Sequence, residues 1–276
     1  MKKLILFCLL SCFLPTAAFA QQADSVMVER LLQTAPVAVN PIMHFARQLK
    51  GRPYVPKTLE INKEESLVVN LRQFDCTTFV ETVMALVVAS QSDSAYFSAY
   101  CRALKSLRYR NGKVDYCSRL HYFSWWIDEQ IRQGRAFEVA IPQTFFPRSQ
   151  NLQLDFMSTH SNLYPMLVVH PEWISSIGEQ ERASSGKRVV YLPKTSLNDN
   201  KALRNLIHDG DIIAITTNKT GLDISHVGFA IWLSDGLHLF HASSVHKRVL
   251  VEPRPLFQYM ATKSAQTGIR IIRFNL

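Results

Sequence analysis

The sequence predicts an α+β fold in which helices come first and an antiparallel sheet follows. Apolar residues recur at helical spacing in the first half of the chain, most clearly over residues 75–90. After about residue 206 the pattern changes to β-branched or alternating runs, and residues 234–236, Ser-Asp-Gly, have the composition of a hairpin turn. Helices followed by consecutive antiparallel strands are typical of an α+β protein.

The first twenty residues have the features of an export signal. Lysines at positions 2 and 3 precede the apolar run Leu4–Leu14, and residues 18–20, Ala-Phe-Ala, form a small-residue cleavage site. The apolar run is too short for a stable membrane span. We therefore expect an exported protein of the periplasm or cell envelope. A lipoprotein anchored at Cys12, which ends the sequence Leu-Leu-Ser-Cys, is the alternative.

The size and charge of the chain limit its possible partners. Its 276 residues suit a single catalytic domain over residues 21–276 after removal of the signal, and no internal repeat or low-complexity linker divides it. The formal net charge is +9, but the basic residues are scattered rather than clustered. We expect no nucleic acid and predict no protein partner; an anionic cell-envelope polymer or a carboxylate-bearing peptide is the expected counterpart.

Several segments before the sheet have helical patterns. Residues 120–133 begin with an aromatic stretch whose rings surround more than one helical face, so most of them are expected in the core. Residues 135–200 mix short apolar runs with prolines and are interpreted as an elaboration packed on that core. The other predicted helices lie within residues 24–50, which prolines divide, and over residues 75–90 and 94–107.

Cys76 directly follows Asp75 at the start of the helix predicted over residues 75–90. The unpaired N–H groups and positive dipole end of a helix would stabilise a thiolate there, and Asp75 is a plausible N-cap. On this stretch alone a buried structural cysteine is the simpler interpretation. An apolar stripe would hold the helix against the sheet; it comprises Phe79, Val80, Val83, Leu86 and Val87.

The cysteine count favours a free thiol. Beyond the signal the chain contains Cys76, Cys101 and Cys117, an odd number for an oxidising compartment. A bridge between Cys101 and Cys117 would leave Cys76 free.

His226 belongs to a predicted strand that could supply the base for a cysteine nucleophile. Strand alternation places His226 on one face with Gly228 and Ala230, small residues that would let the start of the Cys76 helix approach closely. A cysteine nucleophile needs such a base and, usually, a third group that orients it. Taken singly, His226 is equally compatible with an ordinary half-buried strand histidine.

His238 and His241 lie on the next strand and alternate to opposite faces, so only one of them can join His226. The same parity argues against a zinc site, and we expect no metal. A two-residue turn centred on residues 235–236 would pair His241 with Ala230, about 13 Å along the strand from His226. Strong twist, a bulge or a different turn would have to bring the two histidines together.

Four motifs, in order along the chain, resemble those of the NlpC-type papain-like cell-wall hydrolases. They are the loop Gly51-Arg52-Pro53-Tyr54, the pair Asp75-Cys76, the strand entry His208-Asp209-Gly210-Asp211-Ile212, and the two histidine strands His226-Val227-Gly228 and Phe240-His241-Ala242-Ser243. The resemblance implies a papain-like core in which an N-terminal nucleophile helix packs on a C-terminal antiparallel sheet. It covers about residues 51–91 and 206–276, and leaves added N-terminal helices and a large insertion over about residues 92–205.

The same resemblance implies a role for each catalytic residue. Cys76 would be the nucleophile, His226 the base and later the acid, and His241 the residue that orients His226. Tyr54 would donate its hydroxyl to an oxyanion hole beside the N–H of Cys76. No metal or organic cofactor is implied.

The insertion indicates the bond that is cut. The stretch Arg119-Leu120-His121-Tyr122-Phe123-x-x-Trp126 resembles a branch of N-acetylmuramoyl-L-alanine amidase-like proteins, which implies cleavage between the lactyl group of muramic acid and L-alanine. The expected ligands are peptidoglycan fragments (muropeptides), with Asp75, Ser225, Arg119 and His121 as substrate contacts. Three alternatives remain: an endopeptidase acting between γ-D-glutamate and a diamino acid, a non-catalytic peptidoglycan-binding module, and an acyltransferase or transglutaminase-like enzyme.

Overall fold

The computed structural model describes residues 17–35, 40–92, 96–198 and 200–276. The basic start of the expected export signal and Cys12 lie outside these ranges. In the described part of the chain, no helix is long and apolar enough to cross a membrane.

Helices dominate the first half of the chain and strands dominate its last third, as the predicted α+β order requires. The described residues form α1 (Ala17–Gln33), α2 (Pro41–Gln48), α3 (Cys76–Ser90), α4 (Phe97–Arg108), α5 (Phe123–Arg132), β1 (Ala136–Glu138), β2 (Arg148–Asn151), α6 (Phe156–Thr159), α7 (Pro165–Val169), α8 (Trp173–Ser184), β3 (Arg188–Pro193), α9 (Asn200–Leu206), β4 (Ile212–Thr217), β5 (Ile224–Leu233), β6 (Gly236–Ser243), β7 (Arg248–Val251), α10 (Leu256–Ala261) and β8 (Gln266–Phe274).

All described strands belong to one large antiparallel sheet. Its order is β2-β3-β8-β4-β5-β6-β7, and β1 pairs with β8 as well. Strands β1 to β3 come from residues 135–200, which the sequence pattern left unassigned. These strands are short. Strands β1 and β3 pair with the long, buried strand β8, and β2 pairs with β3, so that backbone groups of all three strands are satisfied. The elaboration is therefore partly built into the sheet.

The sheet has an apolar core on each face. On one face α3 packs through Phe79, whose ring lies 5.7 Å from that of Phe229 and 5.9 Å from that of Phe240. On the other face Ala230 and Leu239 belong to a second core that includes Met260 of α10. Because α3 is buried along most of its length, its first residue is held in a defined position against the sheet.

The turn between β5 and β6 decides how the two histidine strands align. Leu233 pairs with Gly236, so the turn consists of residues 234–235 rather than 235–236. Ala230 then pairs with Leu239, and the predicted pairing of His241 with Ala230 is wrong. Continuing the register places His241 opposite Gly228, one diagonal step from His226, where cross-strand side chains can touch.

Gly228 is needed for the approach of β6. A Cβ atom at this position would lie 2.9 Å from the Cβ of His241 and 2.8 Å from the carbonyl oxygen of Phe240. The predicted reason for the small residues Gly228 and Ala230, room for the start of α3, is therefore wrong. The missing side chain of Gly228 makes room for β6, and α3 packs on the opposite face through Phe229.

Candidate active site

The site begins at the N-terminus of α3, where Asp75 is the N-cap as predicted. Its Oδ1 atom accepts the backbone N–H of Thr78 at 2.8 Å, and the Thr78 hydroxyl oxygen accepts the N–H of Asp75 at 2.9 Å. This reciprocal pair is a capping box, with threonine in place of the more usual glutamate or glutamine. Cys76 is consequently the first residue of a well-capped, buried helix.

Backbone hydrogen bonds hold the Tyr54 loop beside this helix start. Tyr54 donates its N–H to the Lys247 carbonyl at 2.9 Å, and Phe74, two residues before Cys76, donates to the Pro53 carbonyl at 3.0 Å. Partial burial, followed by the nearby Cys76 and Asp75, raises the pKa of Tyr54 to about 12. Its phenol is therefore a hydrogen-bond donor at physiological pH.

His226 and His241 are in direct contact. The Nε2 atom of His226 lies 2.5 Å from the Nδ1 atom of His241, and the two rings are nearly perpendicular, at 86°. A bulge precedes His226: Ile215 pairs with His226 but Thr216 pairs with Ile224, which leaves Ser225 as the extra residue. The register of the β5–β6 hairpin brings together the two histidines that the predicted turn would have kept apart.

Cys76 and His226 line one cavity of about 160 Å³. Its wall comes from three parts of the chain: the start of α3, the insertion, and the entry to β5. The lining residues are Cys76, Thr77, His121, Tyr122, Phe123, Met157, Tyr164, Leu222, Asp223, Ile224, Ser225, His226 and Val227. Of the predicted site residues, His121 and Ser225 thus share the cavity with Cys76 and His226.

The protonation of Cys76 differs from the expectation that the helix N-terminus stabilises its thiolate. Burial, followed by the negative charge of Asp75, raises the pKa of the Cys76 thiol to about 12, although the N–H of Val227 and Thr77 groups act in the other direction. Burial, then His241 and Lys263, holds the pKa of His226 well below 6.5. The site at rest therefore pairs a neutral thiol with a neutral imidazole.

Two predicted substrate contacts have different environments. Arg119 is 4% exposed, forms ion pairs with Glu60 and Glu65, and does not line the cavity. His121 lines it, with Nε2 at 2.8 Å from the Tyr116 carbonyl oxygen. Burial and Arg119 hold the pKa of His121 well below 6.5, so its imidazole is neutral.

Sequence reasoning missed Asp223, which precedes β5 and helps to build the cavity wall. It is 3% exposed and accepts the N–H of Ser124, near the start of α5, at 2.6 Å and that of Ile224 at 2.7 Å. It thereby joins the insertion to β5. The sequence feature that could have identified Asp223 is an acidic residue two positions before a predicted strand.

Glu252 was missed as well. It follows β7 directly, is 1% exposed, and places its Oε2 atom 3.7 Å from the Nε2 atom of His241. In the sequence, Glu252 is a single acidic residue at the end of an apolar run. Strand ends at the protein surface show the same pattern, so this pattern does not identify a buried acid.

The described cysteines and acidic groups add two observations. Cys76, Cys101 and Cys117 are all free thiols, so the bridge considered between the last two is not formed. Within the described ranges, no three His, Cys, Asp or Glu side chains are arranged to hold a metal ion.

Comparison with known proteins identifies the family of this chain. The model of the AmiA-like family, described as N-acetylmuramoyl-L-alanine amidase-like, matches residues 44–269. A crystal structure of an N-acetylmuramoyl-L-alanine amidase from Bacteroides uniformis ATCC 8492 is similar, with 38% identity, coverage of 86% of this chain and 98% of that chain, and a TM-score of 0.79. A search of curated proteins gave no match.

Two further structures share the fold. One, from Bacteroides fragilis, is named a "putative xylanase" and has 41% identity, 83% and 98% coverage of this chain and that chain, and a TM-score of 0.76. The other, from Legionella pneumophila, has 21% identity, 94% and 97% coverage, and a TM-score of 0.75. The family match spans most of the sequence and includes Cys76, His226 and His241, and the chain therefore belongs to the AmiA-like family of N-acetylmuramoyl-L-alanine amidase-like proteins.

Proposed function

We propose that this protein is a peptidoglycan hydrolase that cleaves the amide between N-acetylmuramic acid and L-alanine in muropeptides, with Cys76 as its nucleophile. The observation that carries the proposal is the shared cavity of Cys76 and His226, with His226 held by His241. Family membership supports the substrate class and action outside the cytoplasm. An exported, papain-like NlpC-type domain over residues 21–276 fits the same proposal.

In the first half of the reaction, the amide bond is broken. As Cys76 Sγ attacks the amide carbonyl carbon, its proton passes to the neutral imidazole of His226. The protonated His226 then gives this proton to the departing nitrogen of L-alanine. The C–N bond breaks, the peptide leaves as a free amine, and the lactyl carbonyl remains on Cys76 as a thioester.

In the second half, water releases the acyl group. His226 takes a proton from the water, whose oxygen attacks the thioester carbonyl, and then returns the proton to the sulfur of Cys76. The products are a free thiol and the carboxylic acid of the muramic acid lactyl group.

The oxyanion of both tetrahedral intermediates needs hydrogen-bond donors. The Tyr54 hydroxyl and the N–H of Cys76 are suited to this role, because Tyr54 lies beside Cys76 and remains protonated. Asp75, next to the nucleophile, would contact a substrate amine or amide in addition to its role as N-cap. Ser225 and His121 line the cavity where the substrate would bind.

A glycoside hydrolase reaction has less support from the cavity. Such enzymes usually place two carboxyl groups on opposite sides of the scissile bond. Asp223 is the one carboxylate among the lining residues, and both of its oxygens accept backbone N–H groups. The thiol and the histidine pair instead favour acyl transfer.

The experiment is mass spectrometry of the products formed from defined muropeptides by the wild-type protein, Cys76→Ala and Cys101→Ala. We expect the wild type and Cys101→Ala, a matched change at another free thiol, to release sugar and intact peptide. Cys76→Ala should be inactive at an unchanged thermal unfolding midpoint, because it alters only a small side chain.

Other products would identify the alternatives. A sugar that still carries a dipeptide would indicate the γ-D-glutamyl endopeptidase, and transfer to an added amine would indicate an acyltransferase. Binding without any product would indicate a peptidoglycan-binding module. Full activity of Cys76→Ala would refute the proposed nucleophile.

A further inference from the structure

Glu252 is a buried acid held rigidly behind the histidine pair. Its side chain is 1% exposed, and the backbone on both sides of it is tied to β6. The N–H of Glu252 donates to the Leu239 carbonyl at 2.8 Å, and its own carbonyl lies 2.7 Å from the Nδ1 atom of His238. The position of the carboxylate is therefore set by the sheet rather than by solvent.

The two oxygens of Glu252 have different surroundings. Oε1 accepts the Nε–H of Arg254 at 3.1 Å. Oε2 lies 3.3 Å from the Nε2 atom of His246 and 3.7 Å from that of His241. Among the described residues, Oε2 of Glu252 and Nε2 of His241 are both buried and make no hydrogen bond at all. An unsatisfied acceptor thus faces an unsatisfied ring nitrogen.

This contact selects one tautomer of His241. A ring nitrogen without hydrogen would place its lone pair against the carboxylate, which is unfavourable in a buried site, so Nε2 of His241 must carry the proton. Its Nδ1 is then an acceptor. At 2.5 Å from that acceptor, Nε2 of His226 must in turn be the donor. The lone pair of His226 is left on Nδ1, the form a general base requires.

We propose that Glu252 is a positioning residue that sets the tautomers of His241 and His226 and so leaves Nδ1 of His226 free to accept the Cys76 proton. The inference rests on the proposed function for its catalytic meaning, but the tautomers themselves are independent of activity. Glu252 acts through His241 and does not contact the substrate.

The charges around the pair are consistent with an ionised Glu252. Burial raises the pKa of Glu252, but the nearby His241 and the hydrogen bond and charge of Arg254 outweigh burial and hold this pKa at about 2. Its negative charge raises the pKa of His226 and of His241. Three other cationic or titratable groups face the His226–His241 pair, namely His246, Lys263 and the phenol of Tyr259. Cys76 and Asp75 lie on the side of α3.

The first test is Glu252→Gln, measured by steady-state kinetics on a muropeptide. An amide can present either a donor or an acceptor to His241 and no longer enforces the tautomer. We expect kcat to fall at least about tenfold with little change in KM, because a wrong histidine tautomer disables a general base. Loss of the negative charge should also move the acidic limb of the kcat/KM profile to lower pH. Glu252→Asp, which keeps the charge, should restore part of the activity and the position of that limb.

The matched control is Asp235→Asn. Asp235 stands in the same relation to a buried strand histidine, with Oδ1 at 2.9 Å from Nε2 of His238, but on the other face of β6. This variant should keep the kcat and the pH profile of the wild type. An equal loss in Glu252→Gln and Asp235→Asn would overturn the proposal, as would a Glu252→Gln variant with wild-type kcat and an unmoved acidic limb.

A second measurement needs no variant and decides the matter if Glu252→Gln does not fold. Long-range ¹H–¹⁵N NMR spectra of the wild-type protein show which ring nitrogen of each histidine carries the proton. We expect the proton on Nε2 in both His241 and His226. A proton on Nδ1 of His241 would overturn the proposal whatever the activity, whereas an active Cys76→Ala variant would refute only the proposed function.

Discussion

The thiol of Cys76 shows how two opposing effects on one residue are resolved. A helix N-terminus stabilises an anion by roughly 0.3–1 kcal/mol, which is less than about one pKa unit. Full burial can shift a pKa by about 3–5 units in the other direction. Burial and the charge of Asp75 therefore dominate and raise the pKa of Cys76 to about 12. In the proposed reaction, proton transfer to His226 would then accompany the attack rather than precede it.

His226 determines the expected pH dependence of activity. The proposed reaction needs this imidazole neutral, and its burial together with His241 holds the pKa of His226 well below 6.5. The kcat/KM for a muropeptide should therefore stay on its plateau down to pH 6.5 and fall only at lower pH. Thermal unfolding over the same pH range is the control. A half-maximal kcat/KM at or above pH 6.5 in a folded protein would contradict this prediction.

At the scale of the element, the Asp75 side chain has two separate effects at the start of α3. Asp75 caps the helix by accepting the N–H of Thr78, and its charge disfavours the thiolate of Cys76. These two effects depend on different properties, since an amide oxygen can cap as well as a carboxylate but carries no charge.

Substitutions at Asp75 should separate the two effects. Asp75→Asn keeps the cap, so its unfolding midpoint should stay near that of the wild type, while the pKa of the Cys76 thiol falls. Asp75→Ala loses the cap and should cost about 1 kcal/mol of unfolding free energy. The thiol is followed through the rate of iodoacetamide labelling against pH, in a background with Cys101 and Cys117 replaced by alanine.

Two results would contradict the prediction that the capping effect and the charge effect of Asp75 are separable. One is an Asp75→Asn variant that is as unstable as Asp75→Ala. The other is an Asp75→Asn variant that labels no faster than its parent at the same pH. Slow labelling of the wild type near neutral pH is the expected behaviour of a buried thiol and does not argue against catalysis.

At the scale of the whole molecule, the insertion is part of the frame that holds the site. Strands β1 and β3 pair with β8, and Asp223 joins the start of α5 to β5. Arg119 joins the insertion to the segment that precedes α3, through ion pairs with Glu60 and Glu65. The cavity wall depends on these contacts between segments, because the insertion and the sheet line it together.

The contribution of the Arg119 ion pairs can be tested through the free energy of unfolding. Arg119→Ala leaves Glu60 and Glu65 without their buried partner and should cost about 3–5 kcal/mol of unfolding free energy. The control is Arg132→Ala, since Arg132 is largely exposed and the loss of its pair with Glu129 should destabilise the protein much less. Urea denaturation measures both. A raised KM with unchanged stability in Arg119→Ala would instead favour the substrate contact predicted from sequence.

Much of the fold could be predicted from the sequence because the governing interactions are local. Apolar spacing determines that residues 75–90 form a helix, and the Asp75 side chain determines where it begins. Strand alternation separates His238 from His241, as the structure shows through their different partners. The Tyr54 loop, the Asp75-Cys76 pair and the two histidine strands are instead recognisable as motifs through their resemblance to a known family.

Only the tertiary structure decided the features that depend on distant residues. The turn at residues 234–235 shifts the strand register and brings His241 to His226, and a shift of one residue in the turn would have kept them apart. Burial, which no local pattern reports, makes the Cys76 thiol neutral and leaves Glu252 facing His241. Thus the sequence determined which residues could react, and packing decided their contacts and protonation, because both depend on neighbours far away along the chain.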